Sequence, residues 1–328
     1  MPDRRAEKFS GLAAQTKTND YKYRNLNLNI KKGANEMDSS RIRKSILVCI
    51  ILFLTVFFPF MTVRADDQKA PDEQKAPEPA KPSVTLSTDI LSQYIFRGAA
   101  QSKSSAVIQP SVTVTYLGFS ANFWGNFDTS RNSNNPLLVM PSDQVGNPKW
   151  SETDFTFSYT RELCKDFSFV IGDVYYGMQN PLNKYDLNEI FAGVTYNFPW
   201  FSTAFTAYRE VTHNPGLWLQ LDLTKSIPLA MICEGASLDL GASFGYLILN
   251  RASTTTLDLQ GDTGYYSDFH TAQLTAGLKI PVCKLVTISP KVGLWLPLTN
   301  DAENYLQANS VDSKATHFYG GINATASF

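Results

Sequence analysis

From residue 83 onward, apolar and polar side chains alternate one by one. In LWLQLDLT, residues 217–224, Leu217, Leu219, Leu221 and Leu223 share one face, while Trp218, Gln220, Asp222 and Thr224 share the other. A repeat of two puts successive side chains on opposite sides of an extended chain, whereas a helical face recurs every three to four residues. FSANFWGNFD repeats the pattern, with Phe119, Ala121, Phe123, Gly125 and Phe127 opposite Ser120, Asn122, Trp124, Asn126 and Asp128. TAQLTAGLKI places Ala272, Leu274, Ala276, Leu278 and Ile280 on its apolar side. The alternation predicts about twelve strands, over 83–97, 107–116, 119–128, 152–162, 167–177, 187–198, 201–211, 217–226, 237–248, 270–281, 285–296 and 317–328. Most are long enough to cross a bilayer at the tilt of a membrane barrel.

The links between these segments differ in length from one end to the other. YLGF, RELCKDF, YNFPWF and PVCKL are tight, and IPLAMICEGA is the longest of that set; links such as RNSNNPLLVMPSDQVGNPKW and NRASTTTLDLQGDTGYYSDF are long and polar. Short turns on one side and long loops on the other mark an outer-membrane barrel, and a soluble sandwich has no reason to sort its loops so. The expected fold is therefore all-β: a transmembrane antiparallel β-barrel of about twelve strands over 83–328, its N- and C-termini periplasmic because the strand count is even. Cys164, Cys233 and Cys283 then fall in periplasmic turns, where an odd number allows one disulfide and leaves a free thiol. The last segment, HFYGGINATASF, turns Phe318, Gly320, Ile322, Ala324, Ala326 and Phe328 outward. Its terminal Phe328 resembles the carboxy-terminal signal read by the barrel-assembly machinery.

The region before residue 83 has no such period. SRIRKSILVCIILFLTVFFPFMTVRADD has a basic start (Arg41, Arg43, Lys44), an apolar run from Ile46 to about Val63 and a small Ala65 ending V-x-A, which reads as a signal peptide over 37–65. A membrane anchor is the rival, since the run nears bilayer-spanning length. Residues 1–36 are polar and unpatterned, so Met37 is the expected start and the stretch before it an upstream artefact. Residues 66–82, with QKAP at Gln68 and again at Gln74, are expected to form a Pro-rich extended periplasmic tether.

STDILSQYIFRGAAQSKSSAVIQPSVTVTYLGFSANFWGN resembles the N-terminal signature of the TorF family of bacterial porin-like proteins. The resemblance rests on Tyr94, the triplet Phe96-Arg97-Gly98, Gln101-Ser102, Gln109, Gly118-Phe119 and Trp124, and covers about forty residues. Ala100 stands where the family often has serine, and the second strand reads Val107-Ile108-Gln109-Pro110. The resemblance implies an outer-membrane porin of unassigned solute in a Gram-negative bacterium, and it carries no catalytic residues.

With the apolar face turned to lipid, the other face lines the interior. Its acids would be Asp89, Asp128, Asp154, Glu162, Glu189, Glu210, Asp222 and Asp239, and its bases Arg97, Lys279 and Lys291. Asp89, Arg97, Asp154, Glu189, Asp222, Lys279 and Lys291 are the candidate pore-lining residues. Closing the last strand onto the first brings the lysines near Arg97 and Asp89, and leaves most acids on the rest of the wall. Such a lumen favours cations or polar neutral solutes if it conducts; cross-lumen pairing that plugs a narrow barrel is the alternative. Arg97 is expected at the strand's end, pointing into the mouth, with Tyr94 and Phe96 facing the outer interface. Tyr116, Trp200, Phe201, Tyr246 and Phe318 complete the expected aromatic girdles. Asp173 and Arg209 fall on the lipid face in this register, which suggests a bulge or a slip there.

Lys and Arg total 29 against 30 Asp and Glu, which offers no basic face for nucleic acid. No C-x-x-C, zinc-type Cys/His spacing, EF-hand loop or phosphate loop occurs, so no cofactor, metal or catalytic residue is expected. The expected partners are outer-membrane lipid and lipopolysaccharide, the assembly machinery through Phe328, small solutes and a homo-oligomer. Two rivals remain: a barrel lipid hydrolase built on His213, His270 or His317 with Ser267 or Ser310, and a docking barrel that does not conduct.

Overall fold

The computed structural model describes residues 81–103, 105–134, 145–178, 186–213, 215–249 and 266–328. The expectations for 1–36 and 37–65, and that for 66–82 as far as residue 80, lie outside the described residues. The strands are β1 (Ser83–Leu91), β2 (Ile95–Phe96), β3 (Ala99–Ala100), β4 (Val107–Tyr116), β5 (Phe119–Asp128), β6 (Lys149–Cys164), β7 (Phe167–Met178), β8 (Leu187–Asn197), β9 (Ser202–Glu210), β10 (Gly216–Pro228), β11 (Ser237–Leu249), β12 (Tyr266–Pro281), β13 (Val286–Pro297) and β14 (His317–Ser327). One helix, α1 (Asn300–Asn309), interrupts the last link.

Twelve of the strands close a barrel in the order β1-β14-β13-β12-β11-β10-β9-β8-β7-β6-β5-β4. The seam pairs β1 with β14 antiparallel, from Thr85 opposite Ser327 to Leu91 opposite Gly321. Closure leaves no edge strand, so every backbone N–H and C=O in the wall can be satisfied within the sheet, which lipid demands. The alternation settles which face is which. Leu86, Ile90, Val112, Phe157, Ile171, Ile190, Leu221, Phe244, Leu274, Val292 and Ile322 are all exposed on the outside. The inner face carries Ser87, Ser111, Asn122, Thr325 and Asn323, joined by hydrogen bonds such as Asn122 Nδ2 to Ser111 Oγ at 2.9 Å and Asn323 Nδ2 to Ser87 Oγ at 2.9 Å. An apolar outside around a polar inside inverts a soluble protein and is the fold of a transmembrane β-barrel.

Turns at 117–118, 165–166, 198–201, 229–236 and 282–285 share one end with the two termini of the barrel; the longer links gather at the far end. Cys164, Cys233 and Cys283 lie at or in turns of the terminus-bearing end, unpaired. Tyr116, Trp200, Phe201 and Phe318 are exposed near strand ends, as a girdle requires. Ile190 pairs with Asp173 and with Arg209 in an unbroken register, so both charges sit on the outer face and the bulge or slip suggested there is not found.

One expectation fails at the far end. The first strand does not run to 97; it stops at Leu91, and β2 and β3 form a separate two-stranded hairpin. The link after β13 also carries a helix, for which the alternation gave no signal. Thr299 caps α1 by accepting from Ala302 N–H at 3.1 Å, Asp301 and Glu303 occupy the first turn, and Ala302 and Leu306 are buried. Acids there complement the helix dipole.

Candidate pore constriction

The hairpin β2–β3 folds inward over the far end. Its two central residues, Arg97 (φ 47°) and Gly98 (φ 90°), both have positive φ, as the tight turn matching strand twist requires. Glycine takes that conformation freely, but arginine does so at a cost of about 1 kcal/mol or more. A Cβ on Gly98 would lie 2.5 Å from Thr271 Cγ2 and 3.2 Å from a Leu306 methyl, so the backbone is pressed against β12 and α1 at once. The segment after α1 holds the hairpin from behind: Ala100 N–H donates to Ser310 Oγ at 3.1 Å, and Val311 N–H donates to Ala100 O at 3.0 Å. Gln93 Nε2 donates to Ser102 O at 2.8 Å and to Asp312 Oδ2 at 3.1 Å, while Asp312 Oδ1 meets His317 Nε2 at 3.1 Å.

These contacts aim Arg97 across the lumen. Its guanidinium grips Glu189 of β8 through Nη1–Oε1 at 2.7 Å and Nη2–Oε2 at 2.8 Å. Passing from β1 through β4, β5, β6 and β7, β8 is the fifth strand around the wall, close to diametrically opposite the seam. Tyr176 O–H donates to the same carboxylate at 2.9 Å. Phe96, Tyr208 and Trp218 surround the guanidinium carbon at 4.9, 5.2 and 5.0 Å from their ring centres. Burial opposes the arginine's charge, but the hydrogen bond and charge of Glu189 more than offset it and hold its pKa above the usual value. A bidentate fork on a carboxylate, stacked between rings, is chemistry that lysine would not reproduce.

Around this bridge the far end is packed. Trp218, 2 % exposed, lies over Gly245, where a Cβ would come within 2.0 Å of the ring. It meets His270 edge-on at 5.8 Å, and His270 Nδ1 pairs with Tyr266 O–H at 2.7 Å. Tyr305 of α1 closes on both, at 5.0 Å from Tyr266 and 5.1 Å from His270. On the opposite side, Tyr94 meets Trp124 at a tilt, ring centres 5.6 Å apart, and its phenol is pushed well up by burial and by the charges of Glu152 and Asp154. At the terminus-bearing end a cavity of about 420 Å³ opens, lined by residues that include Trp200, Thr224, Asp239 and Thr275.

The structure sorts the sequence-derived residues accordingly. Arg97 and Glu189 come together at the bridge, flanked by Asp154. Asp89 and Lys291 form a second pair at 2.5 Å, two strands apart across the seam. Asp222 lies further down β10, accepting from Gln220 Nε2 at 3.0 and 2.9 Å. Lys279, exposed, lies opposite Ser237 near the terminus-bearing end.

Several expectations are corrected. Arg97 does not join the basic cluster by the seam: the hairpin carries it to the far wall. Tyr94 and Phe96 do not face the interface, because the chain turns inward at 92–94 and seats them on Trp124 and on Tyr176, the latter at 5.8 Å. His270 and His317 lie near the far ends of their strands, yet they are 1 % and 3 % exposed, engaged by Tyr266 and Asp312. Glu152 was missed although it shares the inward parity of Asp154, because it opens its strand segment. Lys149, opposite Asp128, adds an inward base.

No protein-family model matches the chain, nor does any curated protein sequence. Solved structures similar to it include the KdgM porin (11 % identity, TM-score 0.44, covering 74 % of this chain and 99 % of that one). A COG4313 outer membrane channel from Pseudomonas putida F1 is similar at 10 % identity and TM-score 0.43, covering 80 % and 100 %. LpxR from Salmonella typhimurium is similar at 9 % identity and TM-score 0.40, covering 75 % and 99 %.

Proposed function

We propose that this chain is a porin-like outer-membrane channel of the TorF type, passing small polar or cationic solutes by diffusion through a lumen narrowed by the hairpin carrying Arg97. The observation that carries the reading is the inverted barrel whose polar interior is spanned, at one level, by the Arg97–Glu189 bridge. A purely structural plug would need no ion pair in a strained turn, since apolar packing fills a narrow barrel at lower cost. Inward carboxylates at Asp89, Asp128, Glu152, Asp154, Glu189, Glu210, Asp222 and Asp239 outnumber the inward bases Arg97, Lys149, Lys279 and Lys291, which favours cations. With the termini periplasmic, the constriction sits at the extracellular mouth and the cavity beside Trp200 faces the periplasm.

The test is planar-bilayer recording of the purified barrel under a potassium chloride gradient. A reversal potential displaced toward the potassium equilibrium value supports the reading; displacement toward chloride overturns the cation preference. Loss of lipid or lipopolysaccharide hydrolysis on changing His270 or His317 would instead support the enzyme rival.

A further inference from the structure

Beside the bridge, the wall made by β5, β6 and β7 holds two carboxylates whose surroundings the channel reading does not use. Glu152 and Asp154 are 6 % and 9 % exposed. Among the described residues, neither forms an ion pair with a lysine or arginine. The Asp154 Oδ1 atom is buried without any hydrogen-bond partner. A nearly buried, unpartnered carboxylate oxygen costs free energy unless something transient satisfies it.

The neighbours say what that could be. The register places Trp124 directly across from Asp154 on one side and Tyr176 directly across on the other. Directly paired side chains on one sheet face stand about 5 Å apart, so the carboxylate is flanked by two aromatic residues. Tyr94 closes the group from the base of the hairpin, its ring 5.6 Å from Trp124 and its phenol within the field of Glu152 and Asp154. Beside Glu152, Gln109, Asn126 and Ser151 satisfy one another through Gln109 Nε2 to Asn126 Oδ1 at 2.9 Å and Asn126 Nδ2 to Ser151 Oγ at 2.7 Å. That network closes on itself, and neither acid takes part in it.

Adjacent desolvated carboxylates repel, and aromatic faces attract a cation as the carboxylates do. Two carboxylates are too few for calcium, which takes six to eight oxygens, and no set of three or more His, Cys, Asp or Glu suited to a metal occurs among the described residues. Carboxylates with flat rings instead suit a weakly hydrated organic cation.

We infer that Glu152, Asp154, Tyr94 and Trp124 form a subsite for the ammonium or guanidinium group of an organic solute at the constriction. The inference rests on the channel reading and names the class of solute. Tyr94 links the subsite to the gate, because it lies on the same short segment as Arg97: an occupant touching Tyr94 touches the base of the hairpin.

The test is isothermal titration of the full chain, folded in detergent, with methylguanidinium, and with acetamide as the uncharged probe of similar size. Saturable binding of methylguanidinium but not acetamide is expected, weakened at least about tenfold in Asp154→Asn. Folding of the variant is checked by heat-modifiable migration on a gel, and Glu152→Gln carries the test if Asp154→Asn does not fold. No saturable binding to the wild type, or undiminished binding to the folded variant, overturns the subsite. Bilayer recording separates this from the channel reading: binding without conductance upholds the subsite and rejects the channel, whereas conductance without binding rejects the subsite alone.

Discussion

Replacing Arg97 with alanine removes two charge-assisted hydrogen bonds of 2.7 and 2.8 Å and three ring contacts, and leaves Glu189 with Tyr176 alone. Removing one partner of a buried ion pair costs about 3–5 kcal/mol, because the remaining charge stays buried without its counterion. The Arg97 side chain keeps 19 % exposure, which places the loss near the lower bound, about 3 kcal/mol. The barrel's hydrogen-bond ladder does not include Arg97, so the cost falls on docking of the β2–β3 hairpin rather than on the wall. At 1.4 kcal/mol per factor of ten, docking shifts about 100-fold toward the released form. Two assays read this. Amide exchange at Ala100, whose N–H is held by Ser310, should accelerate about 100-fold. Mean conductance in planar bilayers should rise, with heat-modifiable migration retained. Replacing Glu189 with glutamine as well should restore part of the loss, with a coupling of about 0.5–3 kcal/mol, since no carboxylate is then stranded. Unchanged exchange and conductance in Arg97→Ala, or strictly additive effects in the double variant, would refute the bridge as the element holding the hairpin.

Three further outcomes follow from other parts of the molecule. Gly98→Ala meets both a positive φ and Thr271 at 2.5 Å, whereas Gly146→Ala meets a positive φ with nothing within 4 Å; only the former should release the hairpin by Ala100 exchange. Leu221→Arg, on the outer face near mid-strand, should destabilise the barrel in lipid by about 2–4 kcal/mol in urea titrations, while Ser111→Arg, facing the lumen, should cost far less. Burial raises the Asp312 pKa, but the hydrogen bond and charge of His317 outweigh it and leave the value below the ordinary aspartate range. A depressed folded-state value means that Asp312 contributes stability above about pH 4, its unfolded value, and that the contribution fades as pH falls through the lower folded value. Pepsin cleavage of residues 300–316 should therefore converge between wild type and Asp312→Asn only at the acid end of a series from pH 5 to 2; equal cleavage at pH 5 would contradict the latch.

Most of the wall was legible because a strand needs only local parity. Phe119–Asp128 and Val107–Tyr116 begin and end where alternation placed them, and tight turns mark the reversals. The hairpin was not legible, because Tyr94 to Ala100 continues the strand-like run and what turns it inward lies on distant elements: Trp124, Tyr176, Glu189, Trp218, Thr271 and Leu306. Parity gave the inward direction of Asp89, Asp154, Glu189 and Asp222 but not which residues would meet, since cross-lumen pairing depends on closure and on the path of a loop. The helix had a local signature in Thr299, Asp301 and Glu303, with Ala302 and Leu306 four apart, that its polar surroundings obscured. The bulge that adds Ser151 to β6 and the irregularity at His270 also lie beyond a strict repeat of two.

The central claim is that an inserted hairpin narrows a conducting lumen, and the most direct measurement is single-channel conductance of the wild-type chain beside one lacking residues 95–100. The account predicts small, cation-preferring steps in the wild type and distinctly larger, still cation-preferring steps in the deletion. Equal conductance in the two, or none in a deletion that still shows heat-modifiable migration, would contradict it.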